Sequence, residues 1–122
     1  MELSYRFGFD AAHRFTHFPA GHPNAGVHGH SFEAEVAVQG ETDARTGFVI
    51  DFERLEAACA SLRERLDHRM LNDLPGLEAP SLENLCLWIW NNLEATFPAL
   101  TRVTVRRPSA GQSCTYRGLK QR

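Results

Sequence analysis

The chain has 122 residues, 43% of them hydrophobic and 23% charged, with a formal net charge of −2 and a pI near 6.3. That length fits one domain, residues 1–122, and leaves no room for a second core. The near-neutral balance excludes a general attraction to nucleic acid or anionic membrane, and no apolar run approaches the roughly 20 residues that span a bilayer.

The first ten residues, MELSYRFGFD, carry charges at Glu2 and Arg6 and lack the apolar stretch of a secretory signal. The three cysteines, Cys59, Cys86 and Cys114, are odd in number and far apart, which speaks against a disulfide framework and for a reducing, cytoplasmic setting. Arginines gather late in the chain, at Arg102, Arg106, Arg107, Arg117 and Arg122.

LSYRFGFDAAHRF alternates Tyr5, Phe7 and Phe9 against Ser4, Arg6 and Gly8, the period of a strand. HFPAGHPNAG, dense in Pro, Gly and Asn, reads as a loop. HSFEAEVAVQG sets Phe32, Ala34, Val36 and Val38 against Glu33, Glu35 and Ala37, a second strand with one wet face. After the turn ETDARTG the period changes. Leu55, Ala58, Cys59, Leu62 and Leu66 share one helical face, and Asp51 suits the N-cap. NDLPGLEAP interrupts, and Ser81 caps a second helix with Leu82, Leu85, Trp88, Ile89 and Leu93 on its apolar side, stopped by Pro98. LTRVTVRR and SCTYRG supply a third and a fourth strand. The order β-β-α-α-β-β predicts an α+β sandwich, four strands with two helices on one face. The uncovered sheet face and the free edges favour oligomerisation.

His28 and His30, in GVHGHSF, stand two apart at the start of a strand, so their side chains leave the same face. Two adjacent imidazoles repel when protonated and waste polar atoms when buried unpaired, and a divalent metal resolves both problems. His13, at the end of the first strand, can supply a third ligand if the two strands pair antiparallel. Three neutral histidines around Zn²⁺ leave a fourth position open, as in catalytic sites. The competing reading is a pair of surface histidines at a strand end. In RLDHRMLND, Asp67 and His68 form either a carboxylate-oriented proton shuttle or a helix end with a favourably placed histidine.

FDAAHRF, GVHGHSF, TGFVIDFERL, RLDHRMLND and YRG occur in this order over nearly the whole chain, and together they resemble the 6-pyruvoyltetrahydropterin synthase family, most closely its bacterial 6-carboxy-5,6,7,8-tetrahydropterin synthase branch of queuosine biosynthesis. The resemblance implies a tunnelling fold, in which three β-β-α-α-β-β subunits close a twelve-stranded barrel and two trimers stack into a hexamer. It implies zinc on His13, His28 and His30, an active site between subunits, and Asp67 and His68 as the proton-transfer pair. It implies a lyase acting on 7,8-dihydroneopterin triphosphate, with a carboxylated tetrahydropterin, acetaldehyde and triphosphate as the bacterial branch's products.

Two positions depart from the family pattern. The catalytic cysteine of this branch lies four residues before the first histidine of HGH, where this chain has Asn24. An amide has no usable pKa and cannot act as a general base. His22, two residues away in the same loop, is the candidate replacement, with His68 or a zinc-bound hydroxide as others. The family's pterin-anchoring glutamate follows the third strand, where Arg106 and Arg107 stand here. A guanidinium is donor-only and suits a carboxylate, a phosphate or a carbonyl edge. Arg107 is therefore a candidate substrate-binding residue. The other reading places both arginines on the strand's wet face. Glu83 falls in EAPSLENL, which resembles the family's Pro-Thr-x-Glu-Asn segment. It is a second candidate on the substrate side, although locally it reads as an ordinary first-turn acid. Besides the family activity, a same-fold zinc lyase or aldolase for an anionic or acceptor-rich substrate, and a catalytically impaired pterin-like ligand-binding homologue, stay open.

Overall fold

The computed structural model describes residues 1–119; Arg122 lies outside the described residues. Strand β1 (Glu2–His13) and strand β2 (His28–Gln39) pair antiparallel over twelve positions without a slip, from Glu2 opposite Gln39 to His13 opposite His28. β2 pairs with β3 (Leu100–Arg107), with one irregularity between Ala37 and Val38. β3 pairs with β4 (Gln112–Tyr116) across a tight turn in which Gly111 takes a left-handed φ of 66°. The sheet order is β1-β2-β3-β4, so β1 and β4 are its edges.

Helix α1 (Phe52–Leu66) is capped by Asp51, whose side chain accepts the Glu53 N–H, and α2 (Leu82–Leu93) by Ser81, whose hydroxyl accepts the Asn84 N–H. Each cap satisfies a backbone donor that a helix start leaves free. Both helices cover one sheet face. Phe7, Phe9 and Ala11 of β1, Phe32, Ala34, Val36 and Val38 of β2, and Val103 and Val105 of β3 form one buried cluster with Leu55, Leu62, Leu66, Leu85 and Ile89. Cys59 and Cys86 are small core residues within it. Trp88 is buried in this core, whereas Trp90 stands at the surface against Tyr116 and donates to Glu94.

The face turned away from the helices is less wet than its alternation predicts. Glu35 accepts from Arg106 at 2.9 Å and pairs with Arg102 at 2.7 Å, and the two arginines reach on to Glu33 and Glu2. These long side chains lie over Glu35 and leave it only 8% exposed. Burial alone would raise its carboxyl, but the bonds from Arg102 and Arg106 outweigh it and hold it below the usual range. Opposite-charge pairs across neighbouring strands stabilise a sheet in the same way as packed apolar pairs.

Removing Glu35 leaves Arg102 and Arg106 facing each other without their shared acceptor. Glu35→Ala is expected to cost roughly 3–5 kcal/mol, with Glu35→Gln in between. Thermal unfolding of both variants at matched protein concentration checks this.

Candidate metal centre

The β1/β2 register decides where the histidines go. His13 is directly opposite His28, and His30 is opposite Ala11. Alternation puts all three imidazoles on the helix-facing side, continuing the row of Phe9 and Phe32. Their ring centroids are 4.6 Å (His13 to His28), 5.0 Å (His13 to His30) and 5.1 Å (His28 to His30) apart. One ring nitrogen from each comes within 4.8 Å of the others.

Which nitrogen faces the centre is set from outside. His13 Nδ1 lies 3.1 Å from the Pro80 carbonyl, and His28 Nδ1 lies 2.9 Å from the Gly26 carbonyl. A carbonyl only accepts, so in each neutral ring Nδ1 carries the proton and Nε2 keeps its lone pair. Nε2 of His13 and Nε2 of His30 are buried with no partner among the described residues. Buried acceptors are not normally left orphaned. Three imidazoles gathered at one point, with the far nitrogens of His13 and His28 tied to carbonyls, are a donor set that fits Zn²⁺. Burial drives the His13 imidazole from its usual 6.5 down to about 4, against the Pro80 carbonyl and with the help of His28, His30 and Arg107. His30 is lowered by burial, Arg107 and His28. Both therefore stay neutral, as ligands must be.

The carbonyls are themselves held. Asn72 ties Arg14, just past His13, to the 74–80 loop, accepting the Arg14 N–H and donating to the Arg14 and Glu78 carbonyls. Asn84 donates to the Ala79 carbonyl, next to Pro80. Asn72 carries no spacing signal in the sequence, whereas Asn84 closes the stretch PSLEN that resembles the family's Pro-Thr-x-Glu-Asn segment.

Three histidines on two paired strands, tied to an αβ layer of this order, match a known architecture. Residues 2–119 fit the family described as 6-pyruvoyl tetrahydropterin synthase. The chain belongs to that family. It is 40% identical over 112 residues to a 6-carboxy-5,6,7,8-tetrahydropterin synthase of Synechocystis sp., covering 86% of this chain and 85% of the relative. It is 36% identical over 98 residues to a dihydroneopterin monophosphate aldolase of Pyrococcus furiosus, covering 79% and 77%. Its fold superposes on the structure of Caenorhabditis elegans 6-pyruvoyl tetrahydropterin synthase with a TM-score of 0.85, covering 97% and 95% of the two chains at 24% identity.

Within this family fold, Asp67 and His68 sit apart from the histidine triad, beyond the free edge of β1. Asp67 Oδ1 accepts the Asp10 N–H at 2.9 Å, His68 N–H donates to the Asp10 carbonyl at 2.6 Å, and Ala12 N–H donates to the Arg69 carbonyl at 3.0 Å. This short stretch acts as an extra edge strand. The Asp10 N–H, helped by the nearby Arg63, holds the Asp67 carboxyl below its usual range against a smaller opposing effect of burial. Asp67 Oδ2 lies 3.4 Å from His68 Nδ1 and 3.2 Å from Arg63. His68 takes φ = 57°, a left-handed conformation that costs a non-glycine residue about 1 kcal/mol or more, and its side chain is 81% exposed. The Asp67 side chain is half-buried, and its carboxylate lies beside the exposed His68 ring.

In the 14–27 loop, Asn24 is half-buried, and its backbone carbonyl accepts the Phe15 N–H. The Asn24 N–H donates to His22 Nδ1 at 3.0 Å, and His22 stacks on Phe18 at 4.2 Å. That bond leaves the neutral His22 ring protonated on Nε2, so its open nitrogen is a donor. Burial pushes the Cys59 and Cys86 thiols up to about 12, which excludes both as bases near neutral pH. Arg106 and Arg107 part company. Arg106 joins the outer-face ion pairs, and Arg107 turns to the helix side, its Nε buried. Glu83 is exposed in the first turn of α2, near enough to Arg107 to act on its charge.

Purified protein is expected to carry about one zinc per chain, and His28→Ala to lower it to background while circular dichroism keeps its shape; metal content unchanged by that substitution would overturn the ligand assignment. In the chelator-stripped protein, the unfolded chain takes up the His13 proton near 6.5 and the folded chain only near 4. The unfolded state thus binds more protons over that window, and stability falls as pH drops through it. The thermal midpoint between pH 7 and 4 should decline less in His13→Phe.

Proposed function

We propose that the protein is a zinc-dependent lyase acting on 7,8-dihydroneopterin triphosphate or a related pterin, working in the cytoplasm as one tunnelling-fold domain per subunit of a homohexamer built from two trimers. The observation that carries this reading is the convergence of three imidazoles, two of them oriented from outside by the Pro80 and Gly26 carbonyls. The 40% identity to a 6-carboxy-5,6,7,8-tetrahydropterin synthase supports the substrate class. Among the described residues no helix is long and apolar enough to cross a membrane, and the charge balance offers nucleic acid no footing.

His13, His28 and His30 hold the metal. A zinc held there would supply Lewis-acid polarisation of substrate oxygens. The chain's own groups do the proton handling. Asp67, held ionised by the Asp10 N–H, lies 3.4 Å from His68 Nδ1, and in this reading it favours the proton there and leaves Nε2 to act as the base. The pair projects from the outer edge of β1, while the triad faces the helices, so this reading has His68 serve the triad of a neighbouring subunit. That accords with an active site between subunits, and β1, an exposed edge, is where such a neighbour would pair. Asn24 occupies the position of the family's cysteine, and its amide can orient a substrate oxygen but cannot remove a proton. His22 presents Nε2–H at the same mouth and donates in the same sense. With Asn24 inert, His68 carries the base role.

A second reading has specific support. The aldolase of Pyrococcus furiosus is 36% identical, and a same-fold aldolase would cleave a carbon–carbon bond of a dihydroneopterin-type side chain with the same metal and proton pair.

On 7,8-dihydroneopterin triphosphate, turnover is expected to be weak. His68→Ala should lower it by about 10²–10⁴-fold with zinc content unchanged. Asn24→Cys combined with Arg107→Glu should recover more activity than either substitution alone. Steady-state product formation by chromatography checks both, and full activity of His68→Ala would remove the proton pair from the mechanism.

A further inference from the structure

Arg107 is a charged group beside the triad that neither metal holding nor proton transfer uses. The β2/β3 register sets Glu33 opposite Arg106, which makes Phe32 the next neighbour, opposite Arg107. Alternation then sends the Arg107 side chain to the same face as Phe32, His30 and His28. Its Nε is buried and has no acceptor. The outer-face ion pairs take up Arg6, Arg102 and Arg106 and leave Arg107 out, and among the described residues no carboxylate comes within 4.0 Å of it. Glu83 acts on it only from a distance. Burial pulls the guanidinium below its usual value, the mark of a cation that has lost water without gaining a partner.

Such a cation beside three imidazoles gathered for a second cation is unfavourable in the free protein. An oxyanion between them removes the conflict, and a planar guanidinium meets a carboxylate or phosphate through two parallel N–H bonds. We propose that Arg107 is a specificity-determining residue that receives an oxyanion of the substrate, a carboxylate or a phosphate, beside the three-histidine site. This inference rests on the metal-lyase reading for the location of the substrate, but it concerns which substrate is taken. A pterin bearing an anionic substituent is preferred over a neutral one.

The test uses zinc-loaded full-length protein and the intrinsic fluorescence of pterins. Neopterin, neopterin monophosphate and pterin-6-carboxylate serve as the neutral, phosphate and carboxylate probes. One of the anionic probes should bind at least tenfold more tightly than neopterin, and which one does so identifies the oxyanion. Arg107→Gln should erase that preference while shifting the neopterin Kd less than about threefold and keeping zinc content. Glu83→Gln should preserve or increase the preference, since a competing carboxylate is gone. Loss of the preference in Glu83→Gln to the same extent as in Arg107→Gln would show a structural Arg–Glu pair and overturn the proposal, as would equal affinity for all three probes. If Arg107→Gln does not fold, Arg107→Lys carries the comparison. It keeps the charge and loses the fork, and an undiminished preference there overturns the two-bond geometry. Inorganic phosphate separates the two readings: if no pterin binds, but phosphate raises the thermal midpoint of the native protein and not of Arg107→Gln, the pterin assignment fails and the anion site stands.

Discussion

Everything at the metal centre depends on an unbroken ladder between β1 and β2. Side chains on a strand alternate, so a slip of one residue would send the row containing His28 and His30 to the opposite face from His13. Twelve pairs in step, from Glu2/Gln39 to His13/His28, remove that freedom. The register is enforced along its length by burial. Phe32, Ala34, Val36 and Val38 of β2 lose water together with Phe7 and Phe9 of β1 in this register, and a one-residue slip would turn the β2 row away from the core. The hydrophobic core and the metal site are thus one row of positions: its lower part is filled with rings and methyl groups, and its end with imidazoles.

Ordering the ligands then falls to backbone carbonyls. Pro80 has no N–H of its own, and it immediately precedes the Ser81 cap of α2. Its carbonyl is free to point at His13, and the cap and Asn84 keep the turn from rotating away. The second helix therefore contributes to the site without contributing a ligand. Desolvation does the remaining work. It keeps His13 and His30 neutral in the absence of metal, and it makes their orphaned Nε2 atoms costly until something binds them.

The same sheet sorts its arginines by face. Arg102 and Arg106 close an ion-pair ladder over Glu33 and Glu35, where each charge has an opposite within reach. Arg107, one residue on, is carried by alternation into the site, where it has none. At the other edge, the left-handed backbone of His68 stores local strain in a segment fastened to β1 by three bonds, two to Asp10 through Asp67 and His68 and one from Ala12 to Arg69. Strain held against such fastening fits an imidazole presented outward rather than folded onto its own chain.

Much of this was legible from residue order. Period-two alternation and period-3.6 stripes located all four strands and both helices, Asp51 and Ser81 marked the caps, and the His-x-His spacing with an upstream histidine pointed to the ligand set, because each rests on neighbours within a few positions. The resemblance named the family. What no local pattern contains is the pairing of segments distant in the chain. The His13 bond to Pro80 crosses 67 residues and the Asp67 bond to Asp10 crosses 57. Those contacts decide which imidazole nitrogen is open and that the proton pair lies off the β1 edge. The β2/β3 register likewise sends Arg106 and Arg107, alike in sequence, to opposite faces of the sheet. Identity and spacing determined the chemistry on offer; only tertiary packing, by removing water from some groups and supplying partners to others, decided which of it is gathered at one place.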